Sequence, residues 1–308
     1  MKKLLFLLAI ICFMTGSISA KELKVLTIGN SFANSVFVYL PELAATFPDC
    51  KLLLEPANIG GCSLERHWKE HLKSEKNPKH KPYDKKYSLR EKLTMHKWDI
   101  VTIQQVSGQS WKPESFQPYA ENIIKLVREL APQAEIVIQQ TWAYRGDAPQ
   151  FRPGSSWGFG QKEMYEKLEK AYRQLAEQYK FRVIPTGLAT QIHREKSPVK
   201  FKVYAPELLT QLKRPALPDQ TGDIVGAMRW WPKDKKNPKG EWFIRVDFKH
   251  FNTQGQYMQA CLWFAFLFDK KCSEIKYMPA KAKFTAADAE LLKSCAQAAL
   301  DTYTQVKR

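Results

Sequence analysis

Several features that would define a class of protein are missing from this sequence. It has no uninterrupted apolar stretch of about 18 residues, the minimum for a membrane-spanning helix. Its cysteines never occur as C-x-x-C, so neither a zinc site nor a redox pair is indicated. No Pro/Gly/Ser-rich linker divides the 308 residues, and no nucleic-acid-binding motif accompanies the net charge of +17. We therefore expect one domain with insertions, with no bound metal or cofactor, no nucleic-acid partner and no stable membrane insertion.

The N-terminus has the features of a secretory signal peptide. Lys2 and Lys3 precede an apolar segment at 4–14, and small residues follow up to Ala20. This segment is too short to span a bilayer, so we expect cleavage after Ala20. Cys12 would be the modified residue of a lipoprotein, but two isoleucines precede it where a small residue is needed. The sequence predicts a signal peptide at 1–20 and an exported domain at 21–308, in the periplasm or outside the cell.

Removal of Cys12 with the signal leaves five of the six cysteines in the mature chain. Their odd number means that at least one is unpaired in a monomer, and we expect buried small hydrophobic residues with at most one disulfide. Lysine-rich stretches such as KSEKNPKHKPYDKKY are typical of solvated surface. They would also attract an acidic polysaccharide or a membrane surface. The oligomeric state is not indicated.

Short apolar runs alternate with longer amphipathic ones, which is the pattern of a parallel sheet covered by helices. The predicted strands are LKVLTI from Leu23, KLLLEP from Lys51, DIVTIQ from Asp99, EIVIQQ from Glu135 and FRVIP from Phe181. Segments such as QPYAENIIKLVREL and KEMYEKLEKAYRQLAEQY repeat apolar residues at three and four, as helices do. The sequence therefore predicts an α/β, three-layer, doubly wound domain, in which ligands bind beyond the carboxyl ends of the strands.

The pattern changes at 197–242, a region with six prolines and no long periodic segment. We interpret it as a loop-rich insertion beside the site. The chain closes with an apolar helix, TQGQYMQACLWFAFLF, and a last helix. Thr285 and Asp288 resemble the box that caps the start of that last helix.

Ser31, in IGNSF, follows the first predicted strand at the edge where a doubly wound sheet places reactive groups. A helix that begins there would direct its amides and the positive end of its dipole toward an anion. Gly-Asn-Ser is also common in turns, and either Asn30 or Ser31 would suit the cap of that helix. The residues alone leave both interpretations of Ser31 open, nucleophile and helix cap.

A serine nucleophile needs a base, and the sequence has six histidines. His67 and His71 share one face of a predicted helix, and His80 lies in a lysine-rich loop. His250 differs, because Asp247 precedes it by three residues in RVDFKHFNTQGQY. On a compact loop this spacing lets the carboxylate orient the imidazole and stabilise its charged form. An exposed ion pair is the alternative.

Acyl transfer also needs donors for the developing oxyanion. The second strand ends in PANIGGCSLERHW, where Gly60 and Gly61 would let backbone amides approach a ligand. A Gly-Gly pair is also an ordinary strand-to-helix turn. The third strand ends in TIQQVSGQSW, which offers the side-chain amides of Gln104 and Gln105. Successive strand residues face opposite ways, so we expect one of the two amides to point toward the site.

Taken in order, these four segments resemble the blocks of the SGNH (GDSL-like) hydrolases over most of 23–268, with 197–242 excluded. The resemblance implies a flavodoxin-like sheet of five parallel strands and metal-free ester hydrolysis. It makes Ser31 the nucleophile and one oxyanion amide, Gly61 a second donor, His250 the general base and acid, and Asp247 its orienter. IGNSF, GGCSLERHW and QTWAY are similar to an uncharacterised bacterial exported branch found beside polysaccharide-degrading enzymes, from which no activity can be inherited.

Two blocks depart from the common pattern of that superfamily. Gly-Asn-Ser replaces Gly-Asp-Ser, which keeps the nucleophile. QQVSG replaces Gly-x-Asn-Asp, so the third oxyanion donor is not given directly. Branches that resemble sialate O-acetylesterases use a glutamine at this point, which favours Gln105, with Gln104 as the second choice.

Aromatic side chains that could stack on sugar rings follow the same strands or lie in the insertion. They are Trp111, Trp142, Tyr144, Trp230 and Trp231. Core packing is the alternative for each, most of all for Trp142. We expect an exported serine esterase that removes acyl groups, acetyl above all, from a carbohydrate or other small ester. A glycan-binding protein without turnover and a lipid-ester hydrolase are the alternatives.

Overall fold

A computed structural model gives the fold of residues 20–237, 239–280, 282–303 and 305. The predicted signal peptide lies outside these residues, apart from Ala20. The main sheet contains β1 (Lys21–Gly29), β2 (Cys50–Asn58), β3 (Ile100–Ile103), β4 (Glu135–Gln139) and β5 (Arg182–Ile184). The α-helices of the described residues are α1 (Ser31–Asn34), α2 (Leu40–Ala45), α3 (Leu64–Lys76), α4 (Leu89–Thr94), α5 (Tyr119–Leu130), α6 (Gln161–Tyr179), α7 (Thr186–Lys196), α8 (Pro206–Gln211), α9 (Thr253–Phe268) and α10 (Ala286–Thr302).

The five strands are parallel and run in the order β2-β1-β3-β4-β5. Every residue of β3 is buried, and β1 and β4 are buried over most of their length. Such strands read as continuous apolar runs because helices cover both faces of the sheet. All five predicted strands and the doubly wound, flavodoxin-like α/β fold are confirmed.

Two groups of helices complete the three layers. On one face, α2, α7 and α10 pack around α9. On the other, α3, α4 and α5 contact one another. The sequence of α9 is apolar on nearly all sides because the helix is buried between the sheet and its neighbours. As predicted, α9 begins after Asn252, and a capping box formed by Thr285 and Asp288 starts α10.

The region predicted as a loop-rich insertion, 197–242, contains more regular structure than expected. It includes α8 and the strand β6 (Val225–Pro232), which pairs in antiparallel fashion with β7 (Trp242–Phe251). The alternation of residues in WFIRVDF is the sequence signal for β7. It was missed because it follows a segment rich in proline and lysine. This two-stranded hairpin leads directly into α9. Within the described part of the chain, no helix is both long and apolar enough to cross a membrane.

Candidate active site

The loop after β1 presents Ser31 at the carboxyl edge of the sheet. Asn30 is the N-cap of α1, because its side-chain oxygen accepts a hydrogen bond from the Phe32 amide at 3.1 Å. Ser31 is the first residue of that helix. The capping role that the sequence left open therefore belongs to Asn30, and the hydroxyl of Ser31 is available for other contacts.

A continuous series of hydrogen bonds joins Ser31 to His250 and Asp247. The Oγ of Ser31 lies 2.9 Å from Nε2 of His250, and Nδ1 of His250 lies 2.8 Å from Oδ2 of Asp247. With Nδ1 donating to the carboxylate, Nε2 is the acceptor for the Ser31 hydroxyl. These distances are within hydrogen-bond reach, which is the geometry that a nucleophile, its base and an orienting carboxylate require.

Asp247 is held as a carboxylate by its surroundings. Burial by itself raises the pKa of Asp247, but hydrogen bonds from the His250 ring and from the backbone N–H groups of His250 and Lys249 outweigh it. The net effect lowers the pKa well below its usual range. Asp247 therefore stays charged across the physiological pH range and can stabilise an imidazolium on His250.

An irregularity in the hairpin brings Asp247 and His250 together. In a regular strand, residues three apart point to opposite faces. Here Val225 pairs with Phe251 and Ala227 with Asp247, so β7 has two more residues than β6 between the two pairs. This bulge turns the His250 side chain back to the side of Asp247.

Two donors from the loop after β4 hold the bulge in place. The amide of Arg145 donates to the carbonyl of Phe248 at 2.8 Å, and the indole Nε1 of Trp142 donates to the carbonyl of Lys249 at 2.8 Å. Trp142 is itself fully buried and stacked between two rings, with centroids 4.0 Å from Phe32 and 3.6 Å from Phe251. Sequence reasoning missed this support, because the partners lie about a hundred residues apart.

Backbone donors for an oxyanion are present beside the serine loop. Within the described residues, the N–H groups of Ser31 and Gly61 have no hydrogen-bond acceptor. Gly61 has a φ of +63°, a left-handed conformation that favours glycine. The side chain of Asn30 donates to the carbonyl of Cys62 at 3.1 Å, which ties the Gly61 loop to the serine loop.

The two glutamines after β3 are both buried, and neither amide group is open to the cleft. Gln105 uses its Nε2 to donate to the Ser115 carbonyl at 2.8 Å, and its Oε1 accepts from two backbone amides. Gln104 lies against the serine loop, where its Oε1 accepts from the Asn30 amide at 3.4 Å. Its Nε2 is buried without a partner among the described residues. Gln105, our first choice as oxyanion donor, does not fit that role in this arrangement.

His67 supports the serine loop from behind. It is fully buried, and its Nε2 donates to the carbonyl of Gly29 at 2.8 Å while Nδ1 accepts from the Tyr83 hydroxyl at 2.9 Å. Burial lowers its pKa to about 4, so the ring is neutral at physiological pH. His67 was considered in the sequence only as a base, whereas the structure uses it to fix the end of β1.

A cleft of about 260 Å³ lies beside the serine and histidine. Its lining includes Ser31, Asn34, Val38, His250 and Gln256. Val38 is 43% exposed, so it offers an apolar wall. This volume is small for a ligand-binding cleft.

The aromatic residues proposed for sugar stacking lie in three different settings. Trp142 exposes no surface, and Tyr144 is 5% exposed and packs on Trp157. Trp111 is partly buried against Trp157, with ring centroids 5.3 Å apart. The expectation that Trp142 and Tyr144 stack on a ligand does not fit these placements, because neither ring has an open face.

The two remaining tryptophans lie on β6 and do not line this cleft. Trp230 lines a groove of about 410 Å³ between α8 and the hairpin. Trp231, next along the strand, points to the opposite face of the hairpin. Both rings are only partly buried, so their exposed parts could contact a ligand that extends beyond the cleft.

The five cysteines within the described residues are all buried and unpaired. Burial raises the pKa of the Cys62 and Cys272 thiols to about 12, and it also raises the pKa of Cys261. These thiols are therefore protonated and act as small apolar groups, as expected from the sequence.

Fold and site together define an α/β protein with a serine, histidine and aspartate hydrogen-bonded at the carboxyl edge of a parallel sheet. The chain belongs to the family of the Domain of unknown function (DUF4886), whose model matches residues 24–200. Asp247 and His250 lie beyond the matched region. The description of this family names no activity.

One of the solved structures that are similar to this chain shows the same fold. A DUF4886 family protein from Bacteroides uniformis is 24% identical, with 93% of this chain and 98% of that chain covered and a TM-score of 0.68. A putative SGNH hydrolase from Slackia heliotrinireducens is 19% identical, with 60% and 88% covered and a TM-score of 0.43. A putative GDSL-like lipase from Parabacteroides merdae is 12% identical, with 82% and 98% covered and a TM-score of 0.46. Among curated proteins, none matches this sequence.

Proposed function

We propose that this protein is an exported serine esterase that removes short acyl groups, acetyl above all, from a carbohydrate. The observation that carries the proposal is the hydrogen-bonded series from Ser31 through His250 to Asp247, with steps of 2.9 and 2.8 Å. Each member has the chemistry its position requires: a hydroxyl, an imidazole and a charged carboxylate. The predicted signal peptide supports export.

In this mechanism, His250 accepts the proton of Ser31 as Oγ attacks the ester carbonyl. The backbone N–H groups of Ser31 and Gly61 receive the oxyanion. His250 then gives its proton to the leaving alcohol, which leaves an acyl group on Ser31. A water molecule that loses its proton to His250 hydrolyses this ester and restores the enzyme. Asp247 keeps the ring oriented throughout.

The dimensions of the cleft favour a small acyl group. Its volume of about 260 Å³ has to hold the acyl group and part of the alcohol. We therefore expect faster hydrolysis of acetyl esters than of esters with eight or more carbons, which argues against the lipid-ester alternative.

The test is hydrolysis of p-nitrophenyl acetate by the purified mature protein. Ser31→Ala should lower kcat/KM on the order of 10⁴-fold or more, and Asp247→Asn by about 10³- to 10⁴-fold. Ser294→Ala, an exposed serine in α10, is the matched control and should behave as wild type. Wild-type turnover in Ser31→Ala would refute the proposal.

A glycan-binding protein without turnover is the second candidate. It is favoured by the glutamines, because neither Gln104 nor Gln105 offers an open amide to an oxyanion. A fluorophosphonate probe separates the candidates: an active serine esterase is labelled at Ser31, and the label is lost in Ser31→Ala. Sugar binding without labelling would favour the second candidate.

A further inference from the structure

One face of the β6–β7 hairpin carries unpaired positive charge. Side chains alternate along each strand, and residues directly opposite one another share a face. Arg229 is opposite Arg245, and Trp231 is opposite Phe243, so these four side chains lie on the same face. Two like charges placed directly opposite each other are unfavourable in an antiparallel pair. A negative charge near Arg229 and Arg245 would therefore stabilise this pair of strands.

The described part of the chain does not supply that negative charge. Neither arginine forms an ion pair with a carboxylate there. Among the acidic residues close in sequence, Glu241 forms an ion pair with Lys233 at 2.5 Å, and Asp247 pairs with His250. Asp234 accepts a hydrogen bond from the Lys236 amide instead. The two guanidinium groups are thus left for an anion from outside.

The ring of Trp231 organises the cations around it. The guanidinium carbons of Arg229 and Arg245 lie 5.4 and 4.8 Å from the ring centroid, and Nζ of Lys235 lies 5.5 Å away. Three cations around one indole are held by the negative face of its π system. A guanidinium fixed in this way is preorganised to bind a carboxylate or sulfate through two parallel hydrogen bonds.

The same face is accessible and leads to the candidate active site. Arg229 and Arg245 are exposed, and Phe243 is 42% exposed, which leaves an apolar ring beside the cations. Arg245 is two residues from Asp247 on the same face, a distance of roughly 7 Å along a strand. A chain molecule bound at Ser31 can therefore reach these side chains.

We propose that Arg229, Arg245, Trp231 and Phe243 form a binding surface for an anionic polysaccharide, which is the substrate class of the esterase. The guanidinium groups would bind the acidic groups of the sugars, and the Phe243 ring would cover an apolar sugar face. The inference rests on the proposed function in one respect: a polysaccharide can carry the carboxylic esters that Ser31 attacks, whereas a nucleic acid, the other anion that suits arginine and aromatic rings, does not.

Binding is measured in Ser31→Ala protein, so that no ester is consumed, by affinity electrophoresis and calorimetry. The probes are polygalacturonate, dextran sulfate and uncharged dextran, with single-stranded DNA as a further arm. We expect binding of polygalacturonate or dextran sulfate, the stronger of the two identifying the acidic group, and no binding of dextran. Adding Arg229→Gln and Arg245→Gln should weaken binding at least tenfold. Circular dichroism checks the fold of each variant.

Lys76→Gln with Lys79→Gln is the matched control. These lysines are exposed and lie in the lysine-rich segment outside the hairpin, and their removal changes the net charge equally. This variant should weaken binding less than twofold. Equal weakening by both pairs, binding of dextran, tighter binding of DNA, or no binding of either anionic polymer would each overturn the inference. A protein that hydrolyses acetyl esters without binding these polymers contradicts the inference alone, and one that binds them without hydrolysing any ester contradicts the proposed function alone.

Discussion

Gly226 should be indispensable for the geometry of the Asp247–His250 pair. It lies opposite the bulge of β7 with a φ of +89°, a conformation that side-chain-bearing residues rarely adopt. A Cβ at this position would lie 2.6 Å from the carbonyl oxygen of Asp247 and 2.8 Å from Cζ of Arg145. Because Arg145 is buried and also bound to Asp147, it has little room to move.

The cost of Gly226→Ala follows from these two effects. A left-handed conformation held by a non-glycine residue costs about 1–3 kcal/mol. Overpacking against a backbone carbonyl and a buried guanidinium adds about 1–3 kcal/mol. We expect urea denaturation to show a loss of about 2–6 kcal/mol in the free energy of unfolding, as the sum of the two ranges.

Activity should fall with stability, because relief of the overlap moves Asp247 away from His250. If Gly226 acts only through this pair, Gly226→Ala combined with Asp247→Asn should be no less active toward p-nitrophenyl acetate than Asp247→Asn alone. Gly60→Ala is the control, since a Cβ there meets nothing within 4 Å. A Gly226→Ala protein as stable as Gly60→Ala would refute the steric reasoning.

Two further predictions concern residues that support the site. The pKa of His67 is lowered to about 4 in the folded protein from 6.5, so the unfolded chain binds more protons between these values, and stability should be lost as pH falls from 6.5 to 4. His67→Gln should remove a contribution of about 2 kcal/mol to the loss between pH 7 and pH 4.5, measured by urea denaturation at these two pH values, and an unchanged pH dependence would contradict the assignment. Trp142→Ala should cost about 3–5 kcal/mol and lower turnover because the Lys249 carbonyl loses its donor, whereas Leu72→Ala, at a 42% exposed position, should cost less than about 1 kcal/mol. Equal costs for these two variants would argue against the stacking of Trp142 between Phe32 and Phe251.

The sequence was sufficient for those elements whose signal is local. Continuous apolar runs gave the five strands because a buried parallel strand has no polar face. The repeat of apolar residues at three and four predicted α5 and α6 because each helix buries one side. The fold class follows from the alternation of these two patterns along the chain.

The hairpin was harder to predict because its signal is mixed. Prolines and lysines surround β6, and the exposed face of β7 carries Arg245 beside Phe243. Such a strand is stabilised by pairing with its neighbour, and this pairing cannot be read from the periodicity of one segment. The bulge is harder still, since it is defined by register between two segments.

By itself, the sequence determined the sheet and the position of Ser31 at its edge, and it singled out Asp247 and His250 as a candidate pair, which only the bulge of β7 brings to the same side. Only the tertiary structure decided that Asn30 caps α1, that the Gln105 amide is used by Ser115, and that Trp142 and Arg145 hold the bulge. The physical reason is range. Periodicity and capping act within a few residues, whereas the direction of a side chain at the site depends on donors and rings brought from distant parts of the chain.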